Sequence, residues 1–293
     1  MTLLRIAAVV VTHNRRAVLA GTLRAIQAQT RPPDRVYVVD NASGDGTPDL
    51  LRAAFADATH IRLEENLGYA GGLAKGISAA RDDGFDAFWL FDDDSSPEVD
   101  ALDVLLAARH DGAPSEIIGC QGGVVRHGLI RHLDDPRVRL QPQVAGRPFR
   151  VDFVLLDGAF VPREVVDTIG LPRVDYFMML EDVEFSLRAH RAGFGVIVVP
   201  RDVLHRQTLG SVPGCALWRG YYQSRNQLRM ALDFRSPSLM FGCTLRQLRV
   251  ISAALRAPDR RWQRVRLRMR GLSDGIRGRM GRNLEVEAQH RGS

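Results

Sequence analysis

IAAVVVTHNRRAVLAGTLRAIQAQTRPPDRVYVVD, residues 6–40, is the stretch whose periodicity decides the fold. Its first seven residues, Ile6–Thr12, are a nearly continuous apolar, β-branched run, the pattern of a strand buried on both faces of a parallel sheet. Residues 15–29 follow with Leu19, Leu23 and Ile26 at helical spacing, and RVYVVD (35–40) is a second strand. The unit then repeats. A turn NASGDGT precedes a helix at about 48–56, then come a strand at HIRLE, a Gly-rich turn NLGYAGG, a helix over 73–81 and the strand DAFWLF. Alternation of this kind predicts an α/β fold with a doubly wound, mostly parallel sheet, whose ligands sit at the carboxyl ends of the strands. From 116 to 154 short apolar pieces broken by Gly, Pro and charge read as β-rich, a helix starts near Glu181, FGVIVVP is a further strand, and the chain beyond about 221 reads as helical.

The 293 residues carry a net charge of +6, unevenly spread. Between Leu245 and Arg282 twelve arginines face only Asp259 and Asp274, which leaves the rest of the chain at about −4. No apolar run reaches the roughly 20 residues needed to cross a bilayer, and the N-terminus lacks the order of a signal peptide, so a cytoplasmic location is expected. Cys120, Cys215 and Cys243 have no metal-type spacing and are expected to be reduced thiols.

FWLFDDDSSPE (88–98) runs an apolar strand into Asp92, Asp93 and Asp94, whose mutual repulsion and desolvation need a compensating charge. Asp-x-Asp at a strand end suits a hard divalent cation; the alternative is a solvated turn in which Ser95 and Ser96 cap a helix. Asp40 ends VYVVD beside Thr12 and Asn14 of VTHN, and it either accepts a nucleobase N–H or closes an Asx turn. ENLGYAGG (65–72) offers Asn66, Gly71 and Gly72, with glycines that permit close backbone approach ahead of a helix N-terminus. Glu181, Asp182 and Glu184 sit at another helix N-terminus, where the dipole favours acids without any function; the functional alternative is a general base. His205 stands alone after VVPRDVL.

Taken together, VVVTHNR, QTRPPDRVYVVDNASGDGT, ENLGYAGG, WLFDDDSSPE, DGAFVPREVVDTIGL, LEDVEFSLRAHRAGF, VLHRQ and YYQSRN resemble the family two glycosyltransferases of GT-A fold, over about residues 5–230. The resemblance implies a Rossmann-like nucleotide half (1–115), a β-rich acceptor half (116–230) and a basic helical C-terminal region (231–293). It implies transfer of a sugar from a UDP- or dTDP-linked donor, with inversion, to a glycan or lipid-linked hydroxyl. By analogy Asp40 contacts the base, with Thr12 and Asn14 flanking it, and Asn66, Gly71, Gly72 and Asp93 also belong to the donor site. Asp92 lies near the ribose and joins Asp94 and His205 around Mn²⁺ or Mg²⁺. Asp182 is the base, while Asp157, Gly158 and Glu181 line the acceptor pocket. Within the family the pattern is most similar to bacterial galactofuranosyl- and rhamnosyltransferases, although MMLED replaces the usual residues before the acidic pair.

The arginine-rich tail is read either as a surface for anionic lipid on the inner face of the plasma membrane, at about 1 kcal/mol per well-placed basic residue, or as a helical hairpin packed on the catalytic domain. No nucleic-acid motif accompanies it. Two other functions compete: a sugar-phosphate nucleotidylyltransferase, whose Gly-rich loop THNRRAVLAGTL lacks, and a non-catalytic nucleotide-sugar-binding protein, against which Asp94, Asp182 and His205 argue.

Overall fold

The computed structural model describes residues 4–109, 115–138, 146–206, 217–256 and 258–284. The run read as a doubly buried strand is β1 (Ile6–Thr12), and every one of its residues is buried. Ala7, Val9 and Val11 pack with Leu73 and Ile77 of α3 (Gly68–Asp82) on one face of the sheet. Ile6, Ala8 and Val10 pack with Leu19, Leu23 and Ile26 of α1 (Arg16–Gln27) on the other, so from Ile6 to Val11 alternate side chains enter two separate cores and all are apolar.

β2 (Arg35–Asp40) and β4 (Ala87–Asp92) flank β1 in parallel, and β3 (Thr59–Arg62) extends the set beyond β2. Thr12 stands beside Asp40, Asp40 beside Arg62 and Val11 beside Asp92, which gathers the polar ends of four strands at one edge. Past β4 lie β11 (Phe160–Pro162), β6 (Glu116–Gly119), β12 (Gly195–Val198) and β9 (Phe149–Arg150), giving the order β3-β2-β1-β4-β11-β6-β12-β9. Only β11 and β9 oppose their neighbours in this sheet, so it is mostly parallel, as expected. A small antiparallel sheet of β10 (Phe153–Val154), β7 (Gly122–Arg126) and β8 (Leu129–His132) supplies the other strands described in the β-rich stretch.

Two local expectations change. SSP after the three aspartates does not cap a helix: it forms β5 (Ser95–Pro97), paired antiparallel with β13 (Leu204–Arg206), and α4 (Ala101–Ala107) begins later. Helix α3 starts at Gly68 rather than near 73. Glycine disfavours a helix by propensity, but a Cβ on Gly72 or Gly76 would come within 2.4 or 2.3 Å of Val11 or Val9, so only glycines let this helix lie so close to β1.

The C-terminal helices are α7 (Leu217–Asp233), α8 (Pro237–Leu255) and α9 (Arg261–Arg277). Helix α9 meets α7 through Gly271 and Gly275, whose added Cβ atoms would collide with the Tyr221 and Arg225 carbonyl oxygens at 2.4 and 2.8 Å. The Tyr221 hydroxyl donates to the buried Asp274 at 2.7 Å across the same contact. The tail is thus packed on the chain through one face, while Trp262, Met269 and Ile276 of α9 and Phe241, Leu248 and Leu255 of α8 stay exposed. Cys120 and Cys243 are buried free thiols; Cys215 lies outside the described residues.

Candidate active site

Asp92 ends β4 at the polar edge, and ligand oxygens of Asp92, Asp93 and Asp94 lie within 4.8 Å of one another. Asp157, on the loop before β11, joins them: its Oδ1 accepts from the Asp92 N–H at 3.0 Å and from the Ser95 hydroxyl at 2.6 Å. Among the described residues two arginines face these four carboxylates. Arg15 donates from Nη2 to Asp94 at 2.9 Å and has Nε 3.2 Å from Asp93, whose other oxygen accepts from the Thr12 hydroxyl at 2.8 Å. Arg206 donates to Asp157 at 2.8 Å and lies 3.8 and 3.7 Å from Asp92 and Asp94. Two positive charges against four carboxylates leave a deficit of two. Burial, then the charges of Asp157 and Asp94, push the Asp92 carboxyl up to about 7, and burial likewise raises Asp93 and Asp157. The buried Oδ1 atoms of Asp93 and Asp94 accept no hydrogen bond among the described residues, and each is met by an arginine, Arg15 Nε at 3.2 Å and Arg206 Nη1 at 3.7 Å. Hard oxygens, a charge deficit of two and unfilled acceptors fit a divalent cation.

His205 is not part of this cluster. In β13 it pairs with Ser96, its ring is exposed, and Nε2 lies 3.1 Å from Glu98 Oε1. Its neighbour Arg206, pairing with Ser95, is the β13 residue that faces the aspartates, because successive side chains of a strand leave on opposite faces. In this geometry the partner of His205, the expected ligand, is Glu98.

The donor-side residues are tied to one another. Asp40 is fully buried; it accepts from the Ser43 N–H at 2.8 Å, closing a turn, and from Arg62 at 2.8 Å. Asn14, at φ +54°, accepts from the Gly44 N–H at 2.7 Å through its side-chain oxygen and donates from its own N–H to the Ser43 hydroxyl at 2.9 Å. Asn66 accepts from the Gly68 N–H at 2.8 Å. At Gly71 and Gly72 a Cβ would meet Leu67 at 2.5 Å and Val11 at 2.4 Å, so the glycines also serve close packing within the protein. At Gly158, with φ +78°, an added Cβ would likewise meet Leu204 at 2.7 Å, and the Gly158 carbonyl accepts from the Trp89 indole at 3.2 Å.

Glu181 and Asp182 open α6 (Glu181–Arg191). Burial and the neighbouring Asp182 push the Glu181 carboxyl up to about 8, with Asp92 contributing from across the site. Burial also raises Asp182, opposed by the bond it accepts from the Val183 N–H at 2.7 Å and by the nearby His132. The α6 N-terminus and the aspartate cluster thus share one electrostatic site. Tyr69 lies between them: its buried hydroxyl has no hydrogen-bond partner among the described residues and feels Asp157, Asp92, Glu181 and Arg206. Arg15, Arg206, Tyr69 and His132 escaped sequence reasoning. Arg206 could have been found only by seeing LHR as a strand, and Tyr69 only as the bulky residue set among the glycines of GYAGG.

A sheet of this order with acids at its strand ends is the GT-A architecture, and the chain belongs to glycosyl transferase family 2, whose family model matches residues 7–154. It is 31% identical over 208 residues to galactofuranosyltransferase GlfT1 of Mycolicibacterium smegmatis, an alignment covering 64% of this chain and 66% of that protein. To GlfT1 of Mycobacterium tuberculosis it is 31% identical over 199 residues, covering 64% of each. The chain therefore spans just under two thirds of the length of these relatives. Among solved structures, the mannosyltransferase PcManGT from Pyrobaculum calidifontis, in complex with GDP-Man and Mn²⁺, superposes with a TM-score of 0.62 at 18% identity, covering 94% of this chain and 88% of that one. S. aureus TarS 1–349 in complex with UDP gives 0.55 at 14%, covering 94% and 92%. At such identities these structures speak for the fold.

Proposed function

We propose that the chain is an inverting, cation-dependent glycosyltransferase that moves galactofuranose from a nucleoside diphosphate donor to a hydroxyl of a glycan or lipid-linked acceptor. The observation that carries this reading is the juxtaposition of Asp92, Asp94 and Asp157 with the acids of the α6 N-terminus at the carboxyl end of a GT-A sheet. The galactofuranosyl donor rests on the GlfT1 relatives. Residues 1–230 form the catalytic unit in this reading and 231–293 the basic region.

Asp92 and Asp94 hold Mn²⁺ or Mg²⁺, which when bound offsets charge developing on the departing diphosphate. Arg15 and Arg206 balance the remaining carboxylates. Asp182 takes the proton of the attacking hydroxyl, a contribution typically of about 10²- to 10⁴-fold. Its raised affinity for protons matches that task better than an ordinary aspartate would. Glu181 stays protonated at neutral pH and donates a hydrogen bond to the acceptor.

Titration calorimetry with UDP tests the site. Asp94→Asn should remove the enhancement of UDP binding by Mn²⁺, and Asp182→Asn should keep that binding while turnover with UDP-galactofuranose falls at least about 10²-fold. Unchanged Mn²⁺ dependence in the first variant sinks the metal assignment; retained turnover in the second sinks the base.

No helix among the described residues is long and apolar enough to cross a membrane. The exposed face of α9 instead sets Trp262, Met269 and Ile276 among Arg266, Arg270 and Arg277, and that mixture favours binding to an anionic lipid surface, where a lipid-linked acceptor would be held.

A further inference from the structure

Helix α6 is entered through an unusual turn. Phe177, Met179 and Leu180 all have positive φ, at +63°, +72° and +68°, and none is glycine. Phe177, with φ 63° and ψ −61°, centres a γ-turn closed by the Met178 N–H on the Tyr176 carbonyl at 2.7 Å, a conformation that side chains disfavour. Such a turn persists only where its surroundings hold it. The Phe177 carbonyl accepts from the Ala70 N–H at 3.2 Å, in the first turn of α3, and a Cβ on Gly68 would strike that carbonyl oxygen at 2.1 Å.

The main restraint comes from YYQSRN, a motif for which the proposed chemistry gives no role. Asn226 of α7 is fully buried, and its Nδ2 lies 3.1, 2.9 and 2.8 Å from the carbonyl oxygens of Tyr176, Met178 and Met179. Three acceptors around one amide nitrogen require that its two hydrogens point into the turn. The amide oxygen is fixed in turn by Arg225 Nε at 2.9 Å. Arg225 is also fully buried. Its other donors go to the carbonyls of Tyr176 (2.9 Å), Asp175 (3.3 Å) and Gly281 (2.6 Å), and its guanidinium lies over the Tyr222 ring. A buried guanidinium is costly to keep, and here it welds the turn to the C-terminal segment, where the Gly281 N–H returns a bond to the Asp175 carbonyl at 2.6 Å.

We infer that Asn226, braced by Arg225, is a positioning residue that holds the 176–180 turn in the one conformation that delivers Glu181 and Asp182 to the aspartate cluster. The inference rests on the proposed role of α6. It makes the C-terminal helices a working part of the catalytic unit, since α9 and residue 281 complete the socket of Arg225.

The test uses the full chain carrying Asn226→Asp, which keeps the shape and removes the two donor hydrogens, with Asn226→Ala standing in if the first does not fold, and Arg225→Lys as the conservative variant. Hydrogen exchange of amides 177–182 should quicken about tenfold or more while that of β1 and β2 is unchanged. Turnover should fall about 10²-fold, the loss that an ångström-scale displacement brings, while UDP affinity and donor KM stay within about twofold. Arg225→Lys should fall between wild type and Asn226→Ala. Unchanged exchange in 177–182, normal turnover despite faster exchange, or a parallel loss of UDP affinity each overturns the inference. If instead Asp182→Asn retains turnover, the base assignment fails, and the exchange data on Asn226 variants still decide whether the turn is held as described.

Discussion

Three adjacent carboxylates at the end of a buried strand repel one another, and in this chain Arg15, at the start of α1, and Arg206, in β13, hold them together. Arg15 and Arg206 do not play equal parts: Arg206 reaches three of the four acids and is about half exposed, so it can withdraw. Arg206→Met should lower stability without divalent cation by about 1 kcal/mol, a value discounted for solvent screening, and should enlarge the stabilisation that Mn²⁺ gives. Thermal melts with EDTA and with Mn²⁺ measure both; an equal drop in the two conditions contradicts the compensating role. Glu181 gives a pH signature. Its folded value of about 8 stands above the ordinary 4.5, so between the two the folded chain keeps a proton that the unfolded chain has released, and stability declines as pH rises through that window. Glu181→Gln should match wild type near pH 4 and exceed it at pH 8 by about 1 kcal/mol or more in urea unfolding. Parallel pH slopes for the two proteins would remove Glu181 as the cause.

At the scale of elements, the packing of α3 on β1 shows where local propensity yields. GYAGG reads as a turn because glycine is a poor helix former, yet these glycines lie inside the helix, where larger residues would strike Val11 and Leu67. Gly72→Ala should therefore destabilise the chain by about 1–3 kcal/mol, the usual cost of forcing a methyl group into a filled space, although alanine is the better helix residue. Denaturant unfolding reads this directly, and a stabilised variant would show that helix and sheet are more loosely packed than described. The β5 and β13 pair makes the complementary point. Three-residue strands have too little periodicity to be seen in a sequence, yet their register decides which of His205 and Arg206 meets the aspartates.

For the molecule as a whole, the charge asymmetry noted in the sequence becomes a placed surface. Helix α9 buries Gly271, Asp274 and Gly275 against α7 and leaves Arg261, Arg266, Arg270 and Arg277 and three large apolar side chains outward. Replacing Trp262, Met269 and Ile276 together by serine should reduce co-sedimentation with phosphatidylserine-containing vesicles several-fold while leaving UDP binding unchanged, and raised salt should weaken what remains. Vesicle binding that survives the triple substitution would move the lipid contact elsewhere. Because the inner face of α9 also supports Arg225, deleting the helix is a poorer test: it would disturb the turn before Glu181 as well.

Sequence by itself determined the parallel sheet, the gathering of Thr12, Asp40 and Asp92 at its carboxyl edge and the acidic start of α6, because apolar periodicity and strand–turn–helix order are local properties of a chain. Only the tertiary structure decided that Arg206 rather than His205 faces the aspartates, that Gly71 and Gly72 serve packing, and that Asn226 reaches back to the turn before Glu181. Those outcomes depend on strand register and on hydrogen bonds between residues about 50 or more positions apart, and no short window of sequence carries that information.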